Sequence, residues 1–217
     1  MFERLFGPDA KSRLIEAAFD NVSSMLDQSE RMFDLAINSL LENESLLADL
    51  DEMDDSVDES ERMVRRTVLQ HLSINPEKDL VACLVLASMV HDAERIGDFA
   101  RGLGELVSLA KVPREGPFRD ELRQLVQKLR PQFKVCKVAF REDDPGKARE
   151  VMVFHRAFKV RLLEFTCQVA DSDLGANMAV VYAGSARALR RISAHLSNIA
   201  SSVVEPYDRI RHGEEDI

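Results

Sequence analysis

Carboxylates are the side chains in this sequence whose spacing points to chemistry. Residues 49–61 hold eight acids, Asp49, Asp51, Glu52, Asp54, Asp55, Asp58, Glu59 and Glu61, and no base appears until Arg62. Asp54 and Asp58 lie four residues apart, and Glu94 and Asp98 repeat that spacing. On a helix such pairs share a face, where like charges repel by roughly a few tenths of a kcal/mol. Two pairs converging from sequential antiparallel helices need a counter-charge. A hard divalent cation, or iron or manganese, supplies one, because carboxylate oxygens are preferred ligands. The expected metal ligands are therefore Asp54, Asp58, Glu94 and Asp98, with His91, three residues before Glu94, as an added nitrogen donor. The ion is left open among Fe, Zn, Mn, Mg and Ni. Glu94 and Asp98 each sit two residues from Ile96, about 200° around a helix, so the metal is expected on the outside of the bundle. The same pattern also suits a solvated acidic face in the first half of a helix, where the dipole favours acids.

Other chemistry is poorly represented. No Glu is followed by His three residues on, which a ferritin-like di-iron bundle wants. There is no Gly-rich phosphate loop, GxSxG or HExxH. Cys83, Cys136 and Cys167 have no CxxC spacing and read as free thiols, Cys83 as a core residue. His195 reads as a surface or helix-packing residue, and Arg187, Arg190 and Arg191 as a basic cluster for a solvated face or an acidic partner. No catalytic residue is assigned.

The elements that must position these residues are long helices. Only 9 Gly and 7 Pro occur in 217 residues, clustered at a few breaks, and period-2 alternation is nowhere sustained. The expected fold is all-α, with six helices: Asp9 to Glu42, Ser45 to Leu72, from just after Asn75-Pro76 to Lys111, Pro117 to Arg141 (kinked or divided at Pro131), Pro145 to Ala170, and Leu174 to Glu205. Short connections favour antiparallel bundles. The third helix carries a stripe of Val81, Val85, Met89, Ala93, Ile96, Ala100, Leu103 and Val107, and the second a weaker one of Met53, Val57, Val64, Val68 and Leu72.

The break from Val112 to Pro117 divides the chain into two units, 1–112 and 113–217. The first carries 23 acids and 11 bases, the second 15 acids and 18 bases, so the overall charge of −9 averages −12 with +3. Helix order and length repeat across the break. Arg95-Ile96 aligns with Arg191-Ile192 at an offset of 96, and Asp54/Asp58 with His155/Lys159 at an offset of 101. An acidic chain lacks the basic footprint of a nucleic-acid binder. No apolar run reaches the ~18–20 residues that span a bilayer. The N-terminal MFERLFGPDA has no apolar h-region, so no signal peptide is expected. A reducing cytoplasm is the expected location.

The run Glu94-Arg95-Ile96-Gly97-Asp98, the apolar stretch Leu80 to Val90 before it, Asp54-x-x-Val57-Asp58-x-x-Glu61, and Arg191-Ile192 with Asn198-Ile199-Ala200 together make the chain resemble the PhoU family of phosphate-signalling regulators. The resemblance runs from about residue 10 to 205. It implies a tandem pair of antiparallel three-helix bundles, each able to carry a metal cluster on its surface. It also implies a cytoplasmic, often dimeric adaptor between phosphate transporter components and a sensor histidine kinase, without enzymatic activity, without nucleic acid and without a membrane span, peripheral association being left open. The second repeat departs from that pattern. Arg190 and Ala194 stand where two acids are called for, His155 and Lys159 where the preceding helix would offer acids, and Ser193 where the motif has Gly. A cationic face repels a divalent ion, so the second repeat is expected to bind no such cluster. That loss fits a divergent paralogue serving a different transporter or kinase. Rival readings are a metal-dependent hydrolase or phosphatase using the same carboxylates, and a structural helical protein whose acidic face aids solubility.

Overall fold

A computed structural model describes residues 13–46 and 49–211. It contains six long α-helices, α1 (Arg13–Glu42), α2 (Leu50–Ile74), α3 (Leu80–Leu109), α4 (Pro117–Glu142), α5 (Pro145–Ala170) and α6 (Ala176–Val204), then a short 3-10 turn, Tyr207–Arg209. No strand occurs among the described residues. The expected start of the first helix at Asp9 lies outside them.

Local chemistry sets the helix ends and corrects two boundaries. Helix α2 begins at Leu50, not Ser45, because the Asp49 side chain caps it by accepting from the Glu52 amide at 3.0 Å. Helix α3 begins at Leu80, not directly after Pro76. Residues 76–79 form a turn closed by His71, whose Nε2 lies 3.2 Å from Asp79 Oδ2, with Asp79 itself left-handed at φ 58°. Helix α4 runs through Pro131 as one helix. Asp144 caps α5 through the amides of Gly146 (2.8 Å) and Lys147 (3.1 Å), and these bonds hold its carboxyl below the usual range. Asp144→Ala is expected to lower the urea midpoint at unchanged slope. No measurable shift would mean that the cap contributes nothing.

Helix α3 is the hub. It packs against α1, α2 and α6, while α6 also meets α4 and α5. The expected α3 stripe from Val85 to Leu103 is buried; Val81, near the helix start, is exposed. One continuous apolar core joins residues from all six helices. Aromatic pairs cross helices: Phe33 stacks on Phe133 at 5.4 Å between α1 and α4, and Phe165 meets Tyr182 edge-on between α5 and α6.

The break between α3 and α4 is clasped. Arg114, buried, donates from Nε to Leu40 O (2.8 Å) and from a terminal nitrogen to Ser39 O (3.0 Å). Its amide donates to Asn43 Oδ1 at 2.6 Å, and Arg119 Nε donates to Leu41 O at 2.7 Å. Two guanidinium groups thus satisfy the orphan carbonyls at the α1 C-terminus, where the helix dipole favours cations.

Candidate metal centre

Helices α2 and α3 run antiparallel, so residues of the acidic run meet α3 in reverse order. Asp54 reaches Arg101 Nε at 2.9 Å, and Glu61 reaches His91 Nδ1 at 3.5 Å. Asp54, Asp58 and Glu61 step by four and three along one face of α2; His91, Glu94 and Asp98 step by three and four along the facing side of α3. Gly97 lets the helices approach: a Cβ there would lie 3.4 Å from Asp54 Oδ1 and 3.4 Å from Ser29 Oγ.

The expected outward direction is corrected. Glu94 is 6% exposed, and Asp98 is partly buried. The angle from Ile96 is right, but α3 has helices on several sides, and the direction away from Ile96 leads to α2. The groove is therefore an inter-helix site with one open edge, where His91 stands with 38% of its side chain exposed.

Its electrostatics are strained. Burial, then the nearby Asp98 carboxylate, push Glu94 up to about 7 against the opposing pull of Arg95. Asp54 is also raised, first by burial and then by Asp98, against the pull of Arg101. Arg95 Nε lies 2.9 Å from Glu94 Oε2, yet neither atom has a hydrogen bond of acceptable geometry. Arg95 also reaches Asp98 at 2.7 Å. Asp54 Oδ1 is buried without a hydrogen bond. Buried carboxylate oxygens lacking partners are uncommon, because each forfeits its hydration.

One donor atom each from Glu61, His91 and Glu94 fall within 4.8 Å of one another. Of the four ligands expected from spacing, Glu94 belongs to this cluster. Asp98 borders it through Arg95. Asp54 sits further along the groove on Arg101, and Asp58, half-exposed, faces Arg62 at 3.6 Å. Glu61 stood in the acidic run and in the Asp54-x-x-Val57-Asp58-x-x-Glu61 pattern, but not among the four expected ligands. Its place seven residues after Asp54, two turns along the same face, was the signal for it. Arg95 and Arg101 as counter-charges left no spacing signal. In this oxygen–oxygen–nitrogen set Glu94 Oε2 lacks a hydrogen bond and Glu61 Oε1 is held by Arg65 at 2.8 Å; the donor types fit a divalent or iron-type ion.

In the second half, His195 is buried, donating from Nδ1 to Asp92 Oδ1 at 2.8 Å and stacking on Phe99. Arg191 lies over the same Phe99 ring at 5.3 Å. His155 Nδ1 lies 3.0 Å from Ser193 Oγ, and burial with the cations Lys159 and Arg190 pushes it down to about 4. All three cysteines are unpaired, with Cys83 and Cys136 in the core.

The family model described as "PhoU domain" matches residues 22–107, from α1 to the end of α3. Over that span the chain is similar to PhoU domains. All the groove's acids and His91 lie inside it. The chain is similar to "Phosphate-specific transport system accessory protein PhoU homolog 1" from Thermotoga maritima, with 28% identity over 85% of this chain and 83% of that protein. Among solved structures, PhoU from Pseudomonas aeruginosa superposes with a TM-score of 0.74 at 23% identity, covering 93% of this chain and 98% of the other. The phosphate transport system regulatory protein PhoU from Streptococcus pneumoniae superposes with a TM-score of 0.68 at 16% identity, covering 94% and 98%. The PhoU-like fold thus extends through all six helices, beyond the residues matched by the PhoU domain model. No helix among the described residues is long and apolar enough to cross a membrane.

Proposed function

We propose that this chain is a PhoU-like regulator of phosphate uptake that works by binding, with the α2/α3 groove as its metal seat. The observation that carries the reading is the match of residues 22–107 to the PhoU domain. Within that span, two buried carboxylate oxygens, Glu94 Oε2 and Asp54 Oδ1, lack hydrogen bonds. Glu61, His91 and Glu94 would hold the ion, with Asp98 and Asp58 beside them. A bound cation would compete with Arg65 and Arg95 for these carboxylates and tie α2 to α3. The residues 1–112 and 113–217 act as two repeats, of which the second holds no equivalent cluster. The protein acts in the cytoplasm, as a dimer, on a phosphate transporter component or a sensor histidine kinase.

Elemental analysis of the purified chain, and titration after chelation, test the seat. Stoichiometric iron, zinc or manganese in the wild type, lost on joint Glu94→Ala and Asp98→Ala substitution, is the expected result. Equal metal content in both proteins would end the metal proposal. Chromosomal deletion that leaves phosphate uptake and its repression unchanged would end the regulator proposal separately. His91 adds a selectivity test. Imidazole suits zinc, iron and nickel and contributes little for magnesium, so His91→Ala is expected to weaken zinc binding about 10-fold and leave magnesium binding unaltered. Parallel losses for both ions would remove His91 from the ligand set.

A further inference from the structure

A second cleft, at the other end of the charge scale, lies between α5, α6 and the chain after the 3-10 turn. Its walls are His155, Arg156 and Lys159 of α5, Ser197 and Asn198 of α6, and Arg211, with Met152 beneath, around a cavity of about 190 Å³. The α5 residues fall at steps of three, one and three, so one face of that helix is turned to α6. Three cationic side chains and two neutral donors line the cleft, and among the described residues no carboxylate does.

The cleft is held in shape from below. Asp92, 1% exposed, accepts from Asn198 Nδ2 at 2.9 Å and from Arg211 Nε at 2.9 Å, while another Arg211 nitrogen donates to Ser88 O at 2.7 Å. Asn198 and Arg211 are thereby fixed before any ligand arrives, which lowers the ordering cost of binding. Asp92 neutralises one guanidinium, leaving the charge of Lys159 in excess. Lys159 forms no ion pair among the described residues, and neither does Arg190, close enough to act on His155. Repulsion among these cations is the price of leaving the site without an anion. Arginine and lysine beside amide and hydroxyl donors are the groups that recognise phosphate oxygens.

We propose that the cleft of His155, Arg156, Lys159, Ser197, Asn198 and Arg211 is a binding site for a phosphate-type oxyanion, free or as the phosphate of a small molecule. The site rests on its own charges and packing and does not depend on the metal seat. His155 responds to occupancy. It is kept neutral by burial and by Lys159 of α5 and by Arg190 and His195 of α6. An anion beside it offsets those charges and favours the imidazolium.

Titration of the full-length protein with orthophosphate, and in parallel with metal-free ATP, tests the site by calorimetry and by the NMR signal of the His155 ring. Saturable one-to-one binding that Lys159→Glu weakens at least 10-fold is expected, while Arg62→Glu, on exposed α2, leaves it unchanged. The tighter of the two ligands identifies the source of the phosphate. The His155 titration is expected to move up from about 4 when phosphate is bound. Absence of saturation by either ligand through the millimolar range, or equal binding by the Lys159→Glu protein, overturns the proposal.

Discussion

Asp92→Ala is expected to lower the unfolding free energy by about 3 kcal/mol, a Tm loss of roughly 6–12 °C for a chain of this size. Asp92 belongs to α3, yet its partners come from the far end of the chain: His195 at 2.8 Å, Asn198 at 2.9 Å and Arg211 at 2.9 Å. Truncation leaves three donors around the vacated space, one of them a guanidinium, and donors left unpaired cost more than the bonds they formed. Asp92→Asn keeps an acceptor for His195 but gives up the charge facing Arg211, so it is expected to lie between the alanine variant and wild type. Urea unfolding at constant ionic strength provides the measurement. An alanine variant within about 0.5 kcal/mol of wild type, the range of ordinary surface substitutions, would show that solvent replaces the whole network.

Glu94→Gln is expected to act in opposite directions on stability and on metal binding. The folded chain holds Glu94 at about 7 against an ordinary value of 4.5. A carboxyl raised on folding makes the native state bind more protons than the unfolded state between those values, so the metal-free protein loses stability as pH rises from about 4.5 to 7. The full loss amounts to about 3 kcal/mol above that window. Glutamine resembles the protonated acid and carries no such penalty. Metal-free Glu94→Gln is therefore expected to match wild type near pH 4.5 and to exceed it by up to about 3 kcal/mol at pH 8. Added metal reverses the order, because the wild type gains from the ion by mass action and the variant does not. Melting curves across pH, with and without metal, decide it. A variant no more stable than wild type at pH 8 would mean that Arg95 already neutralises Glu94.

The two halves of the problem were unequally legible. Sparse breakers and long runs of helix formers were enough for an all-α fold of six helices. Boundaries slipped where a single side chain decided them, as with the Asp49 cap and the His71–Asp79 turn. The carboxylate pairs and His91 were readable because four-residue spacing is local. The face they occupy was not: helical angle alone cannot reveal that α3 is flanked by α1, α2 and α6. Arg95 lies inside the motif, but no spacing rule marks it as the bridge between Glu94 and Asp98. Asp92 and His195 are 103 residues apart, and no spacing rule connects them.

The burial of α3 bears on how the chain reaches its native state. A helix whose Asp92 and Glu94 are both shut away, on sides met by α6 and α2, has little surface to show water in any partly assembled form. Its partner α6 follows only after α4 and α5, so the contacts that complete it must close a long loop. Helices α1 to α3 emerging first from a ribosome would carry an uncovered apolar flank until α6 followed, a window in which such chains self-associate. During synthesis, the most vulnerable element is thus the one that ends up best protected.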